Sequence, residues 1–133
     1  MWTSSVAALV IDTSSWIEWF EARGPDAIGR ALGEDRVILP PVVAAELASG
    51  TLTAAKRSRL VQLLRVLPLC PADFDHWVRV GLLRAALRSR GLSVTIPDAH
   101  VAQCALDLDC ELLAQDHVFA LIARHVPLRM LEE

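Results

Sequence analysis

Val6-Ala7-Ala8-Leu9-Val10-Ile11-Asp12-Thr13-Ser14-Ser15 begins with six apolar residues and ends with four polar ones. The apolar run is too short for a helix and shows no polar alternation, which suits a strand buried on both faces of a parallel sheet. Asp, Thr and Ser side chains then offer caps for a helix start. Helical spacing follows at once: Trp16, Ile17, Trp19 and Phe20 fall on one stripe expected to be core, with Glu18 and Glu21 opposite. A buried strand, a polar turn and an amphipathic helix make up the repeating unit of an α/β fold.

The same alternation continues through the chain. Gly24-Pro25 ends the first helix, and a second is expected over about Asp26 to Leu32, closed by Gly33. Arg36 to Leu39 reads as a strand, and Pro40-Pro41 favours a helix over Val42 to Ser49. Thr53 to Arg65 is expected to be helical with Lys56, Arg57 and Arg59 exposed, and Val66 to Leu69 to form a third strand. A long helix is expected from Ala72 to Arg90, with Phe74, Trp77, Val78, Gly81 and Ala85 facing the core. Val80, Leu83 and Leu87 form a second apolar strip, read as an interface. Pro97 opens a helix reaching Leu108, Glu111 to Leu113 is a strand, His117 to Arg124 a helix, and Leu128 to Leu131 a last strand. The fold class is α/β, with a mainly parallel sheet of about four to five strands covered on both faces. The 133 residues are expected to form one domain, 1–133.

Composition narrows the function classes. Hydrophobic residues make up 53% of the chain and mean hydropathy is +0.38. The longest apolar stretch, Val37 to Ala45, contains Pro40 and Pro41 and falls well short of the roughly 20 residues needed to span a bilayer. No basic region precedes the first apolar run, so neither a signal peptide nor a membrane location is expected, and the setting is read as cytoplasmic. Cys70, Cys104 and Cys110 show no metal-binding spacing and are read as buried thiols in a reducing compartment. The net charge of −3 argues against simple basic-surface binding to nucleic acid. Yet Lys56 is the only lysine, and Arg57, Arg59, Arg65, Arg79, Arg84, Arg88 and Arg90 crowd the middle. Arginine suits phosphate contacts, while a codon preference explains the count equally well.

Four acids sit at the joints of this pattern. Asp12 follows the first strand, Glu46 lies in the helix after Pro40-Pro41, Asp98 follows Ile96-Pro97, and Asp116 follows Leu112-Leu113-Ala114-Gln115. In parallel α/β sheets, functional groups gather beyond the C-terminal ends of the strands, so these carboxylates are candidates to meet. Two carboxylates about 4 Å apart repel by roughly 4 kcal/mol at an effective dielectric of 20, so four in one pocket require a cation. Oxygen-only ligands favour Mg²⁺ or Mn²⁺ over Zn²⁺. Such an ion activates water and neutralises a scissile phosphate, which points to phosphodiester hydrolysis. Singly, each acid also has an ordinary use as a helix cap, surface residue or turn former.

Ile11-Asp12-Thr13-Ser14, the Pro41-to-Leu47 helix with Glu46, Ile96-Pro97-Asp98-Ala99-His100-Val101-Ala102 and Leu113-Ala114-Gln115-Asp116-His117-Val118-Phe119 occur in the order and spacing of the PIN domain. Across its whole length the chain resembles the VapC toxins of type II toxin–antitoxin modules. The resemblance implies a PIN-like three-layer α/β/α fold and a Mg²⁺- or Mn²⁺-dependent endoribonuclease. It also implies an RNA substrate, a VapB-like antitoxin as partner, and a homodimer. By position, it gives Asp12 and Asp98 the role of principal metal ligands. Asp116 completes the site or binds a second ion, Glu46 orients or deprotonates the attacking water, and Ser14 contacts metal-bound water or phosphate.

Two departures bear on that site. Ala114 stands where many relatives have Thr or Ser, and Val118 where they often have Asp, which weakens the case for a second ion. His100 and His117 flank two of the acids. The reading that they are an ordinary helix residue and an exposed turn residue is favoured over phosphate binding or proton transfer. Cys104 is expected to be packing. The competing functions are a PIN nuclease of RNA processing without an antitoxin, a degenerate PIN binding module and, more weakly, a receiver or phosphatase-like domain.

Overall fold

The computed structural model describes residues 7–21 and 26–132. Val6 and the Gly24-Pro25 helix end expected from the sequence lie outside those residues. Strand β1 (Leu9–Ile11) runs directly into α1 (Thr13–Phe20) through Asp12, followed by α2 (Ala27–Gly33) and β2 (Val37–Ile38). Next come α3 (Pro41–Ala48), α4 (Ala54–Arg65), α5 (Phe74–Arg88) and α6 (Ile96–Leu108). Strand β3 (Glu111–Leu113), α7 (Val118–Ile122) and β4 (Arg129–Met130) complete the order.

The four strands form one parallel sheet in the order β2-β1-β3-β4. Its centre is the quoted apolar run. Leu9, Val10 and Ile11 are all at most 1% exposed, and successive strand residues point to opposite faces, so both faces are covered. That is the expected three-layer α/β/α arrangement. β1 pairs with β2 on one side and with β3 on the other, aligning Ile11 with Leu113. The chain therefore turns in opposite directions on leaving β1 and β3, towards β2 from the first and towards β4 from the second. The crevice between the C-terminal ends of β1 and β3 is a topological switch point, where α/β sheets place ligands.

Three expectations need correction. Val66 to Leu69 is not a strand of the sheet but makes a single bridge, Leu39 to Leu69, with Leu39 N–H donating to Pro68 O and Cys70 N–H to Leu39 O. Pro68 has no N–H to extend a ladder, and Val66 and Leu69 are exposed. On α5 the two apolar strips exchange roles. Val80, Leu83 and Leu87 are buried together with His76, whereas Phe74, Trp77, Val78 and Leu82 are exposed. The helix is rotated to bring His76 to buried polar partners on α6, and His76, Val80, Leu83 and Leu87 then share one face at helical spacing. On α1 only Trp16 is fully buried, while Ile17 and Phe20 are each 46% exposed.

Three of the crowded arginines are structural. Arg57 is half-buried, its Nε donating to Ala48 O at 3.0 Å and its guanidinium to Gly50 O at 2.6 Å, which ties α4 to the end of α3. Arg84 donates to Val94 O at 2.8 Å, and Arg79 forms two 2.9 Å bonds to Asp107. Arg59, Arg65, Arg88 and Arg90 stay exposed.

Candidate metal centre

Asp12 is the first residue beyond β1, and its backbone fixes it to the neighbouring strand: Asp12 N–H donates to Leu113 O at 2.9 Å. Its side chain caps α1 and accepts the Ser14 hydroxyl at 2.9 Å through Oδ2. Ser14 Oγ in turn accepts Gln115 N–H at 3.1 Å, and Gln115 Nε2 donates to Ser15 Oγ at 3.3 Å. The turns after β1 and β3 are thus laced together, and Asp116 follows Gln115 directly. Asp116 Oδ1 accepts Val118 N–H at 3.0 Å, which steadies the turn into α7.

Asp98 enters from α6. Thr95 caps that helix by accepting Asp98 N–H at 3.3 Å, and Asp98 lies in the first turn, where exposed N–H groups favour a negative charge. Glu46 enters from α3, its Oε1 accepting the Thr13 hydroxyl at 2.6 Å. Exposure rises from Asp12, buried at 6%, through half-buried Asp98, to exposed Glu46 and Asp116.

Electrostatics show that the acids share one field. Burial pushes the Asp98 carboxyl above its ordinary value, and repulsion from Asp12, Asp116 and Glu46 adds to the shift while Thr95 partly opposes it. Asp12 is also pushed up, mainly by burial and slightly by Asp116, against the hydrogen bonds from Ser14 and Thr13. Neighbouring carboxylates therefore oppose ionisation at Asp98 on α6, and Asp116 does so at Asp12, while Glu46 stands on α3 and Asp12 and Asp116 in the turns after β1 and β3. A divalent cation relieves that cost, and an all-oxygen donor set with graded exposure fits a hard ion that keeps part of its water shell.

Neither histidine joins the acids. His100 is buried, its Nδ1 2.8 Å from His76 Nε2, and His117 is exposed at the start of α7. Ser14 sits where it was expected. Thr13 and Gln115 were not singled out in the sequence, although Thr13 stands beside Asp12 in the polar turn and its type offers the hydroxyl that holds Glu46.

Residues 9–125 match the PIN domain family model. Ribonuclease VapC11 of Mycobacterium tuberculosis is 32% identical over 123 residues, covering 87% of this chain and 92% of the relative. VapC ribonuclease Mb1587 of Mycobacterium bovis matches with the same identity and coverage. Among solved structures, VapBC-5 of the VapBC toxin–antitoxin family, from M. tuberculosis, superposes with a TM-score of 0.71 at 27% identity, covering 96% of this chain and all of the other. VapBC2 from Rickettsia felis, solved with a promoter DNA fragment, has the same fold, with a TM-score of 0.73 at 17% identity over 93% of this chain and 97% of that one.

Proposed function

Because the chain belongs to the PIN domain family, and within it to the VapC ribonucleases, we propose that residues 1–133 act as one metal-dependent endoribonuclease, the toxin of a VapBC-type pair. The observation that carries this reading is the common field of Asp12, Glu46, Asp98 and Asp116 at the switch point between β1 and β3. Asp12 and Asp98 are the principal ligands, Asp116 completes the donor set, and the ion is Mg²⁺ or Mn²⁺. When bound, it neutralises phosphate charge and acidifies water.

The protein's own groups do the rest. Glu46 orients the attacking water and takes its proton; with Oε1 held by Thr13, proton uptake falls to Oε2. Ser14 fixes the rotation of Asp12 through Oδ2. In-line attack by water breaks the bond to the 3′-oxygen, leaving a 5′-phosphate and a 3′-hydroxyl. Exposed Arg59, Arg65, Arg88 and Arg90 are available to the RNA backbone, so affinity is expected to fall as salt rises.

The partner is a VapB-like antitoxin, whose cationic side chain entering the acid cluster replaces the ion. A homodimer remains part of the proposal, with its support moved from Val80, Leu83 and Leu87 to the exposed strip of Phe74, Val78 and Leu82. Among the described residues no helix is long and apolar enough to cross a membrane, and a cytoplasmic setting is proposed. The test is cleavage of a total RNA pool with Mg²⁺ or Mn²⁺ by the wild type, Asp12→Ala and Asp98→Ala. Loss of cleavage in both variants, with 5′-phosphate ends in the wild-type products, is expected. Equal cleavage by all three proteins overturns the assignment.

A further inference from the structure

A second cluster of donors lies between α5 and α6, away from the acid cleft. One ring nitrogen each of His76 and His100 and the sulfur of Cys104 lie within 4.8 Å of one another, and all three residues are buried. His76 Nε2 is 2.8 Å from His100 Nδ1, and Cys104 Sγ lies over the His100 ring, 3.9 Å from Nδ1 and 3.8 Å from Nε2. In a tetrahedral zinc site with about 2.0–2.1 Å to nitrogen and 2.3 Å to sulfur, donor atoms stand roughly 3.3 to 3.6 Å apart. The 2.8 Å and 3.9 Å separations bracket that range, and an ion is admitted when the His76–His100 hydrogen bond opens and the His100 ring turns its Nδ1 towards the sulfur.

The surroundings have the form of a prepared ligand set. His76 Nδ1 is 2.8 Å from Asp107 Oδ2, so its Nε2 is left facing the cluster. Asp107 is itself held by both Arg79 bonds and by Gln103 Nε2 at 2.8 Å. A carboxylate behind a ligating histidine fixes its tautomer and raises its basicity, a usual companion of metal-bound imidazole. Trp77 stacks on His100 with centroids 4.6 Å apart, and its partly exposed ring separates the cluster from solvent.

We propose that His76, His100 and Cys104 form a second metal site selective for a borderline or soft ion, Zn²⁺ foremost, distinct from the hard-ion site of the four carboxylates. Donor chemistry separates the two, since imidazole and thiolate select Zn²⁺ while carboxylates suit Mg²⁺ and Mn²⁺. Binding converts the Cys104 thiol to a zinc thiolate and releases its proton to solvent. It also replaces the His76–His100 hydrogen bond, and the shared proton moves to His100 Nε2, leaving both imidazoles neutral. Because the thiol must lose its proton to bind, affinity rises with pH.

The experiment uses the full chain carrying Asp98→Asn to weaken the oxygen site, titrated with Co²⁺ as a spectroscopic stand-in and with Zn²⁺ against a chromophoric chelator. One equivalent of Co²⁺ giving a thiolate-to-cobalt charge-transfer band, displaced by Zn²⁺ and not by excess Mg²⁺, is expected. Adding Cys104→Ser removes the band, and adding Asp107→Asn weakens Zn²⁺ binding by about 10- to 100-fold. A folded protein with no such band, or a band that survives Cys104→Ser, overturns the proposal. The wild-type spectrum decides even if a variant fails to fold, and RNA cleavage does not enter the readout.

Discussion

Helix α6 carries two polar clusters built on opposite rules. At its N-terminus, Asp98 faces three other acids and is held above its ordinary value by burial and their repulsion. Further along, His100, Cys104 and Asp107 meet His76 and Arg79 of α5, and hydrogen bonds pair donor with acceptor across the cluster. The first region is left electrostatically unsatisfied and open, the second compensated and closed. Without an ion, a compensated polar cluster adds to stability, whereas an uncompensated one subtracts from it and needs its cation to offset the cost. Removing a group from each region should therefore move different observables.

The largest effect is expected at the acids. Asp98→Asn should lower RNA cleavage by at least about 100-fold, on the scale of losing a preorganised electrostatic contact in a reaction centre. The same substitution removes a carboxylate that burial and three neighbours disfavour, so it should raise the urea midpoint of the metal-free protein. Cleavage assays and unfolding curves on one preparation check both. A variant that lost activity and stability together would break the contrast.

His76→Leu should do the reverse. It leaves His100 Nδ1 and Asp107 without their 2.8 Å partner, and stranding buried polar groups costs about 1 to 3 kcal/mol. The unfolding midpoint should fall accordingly, while cleavage per folded molecule stays within a few-fold. Loss of activity far exceeding loss of folded protein would show that the two regions are coupled through α6.

Acid sharpens the same distinction. Burial, with His76 beside it, lowers the His100 value to about 4 from 6.5, so the folded protein favours the neutral ring. A depressed folded value gives stability that is complete above pH 6.5 and lost as pH falls towards 4, by up to about 3 kcal/mol. Asp107 extends the loss to lower pH. Burial pushes its carboxyl up, but hydrogen bonds from Arg79, His76 and Gln103 outweigh that and hold it at about 2, so its contribution disappears from pH 3.8 down towards 2. Urea midpoints measured from pH 7 to 4 in a chelator should fall across the first window and fall less in His76→Leu. A flat profile would remove the neutral, buried reading of His100.

The two regions were unequally legible in the sequence. Each acid follows a local signal, a strand end or a Pro-marked helix start, and the parallel order of strands gives them a common edge. The histidine cluster has no such signal, because His76 lies 24 residues from His100 and 31 from Asp107, on a different helix. Its one trace was the spacing His76, Val80, Leu83, Leu87, which the larger apolar side chains of Phe74 and Trp77 overrode. Size argued for burying those rings, but pairing a buried histidine weighed more. Pro68 likewise limited the third expected strand to one bridge, a donor count that apolar character alone does not show.

The smallest effect is expected at Thr13, inside the open region but compensated within it. Its hydroxyl holds Glu46 Oε1 at 2.6 Å, yet Glu46 is exposed, so the bond competes with water and is worth about 1 kcal/mol. Thr13→Val keeps the shape and removes the donor, and should lower kcat by about fivefold with KM and Mn²⁺ affinity little changed. Thr13→Ser should restore most of the rate, because it returns the hydroxyl without the methyl group. That pattern marks a positioning residue: it aims a base and holds no ion. A loss as deep as that of Asp98→Asn, or a fall in Mn²⁺ affinity, would instead place Thr13 among the groups that hold the cation, and the open region would then extend one residue further along α1 than its carboxylates indicate.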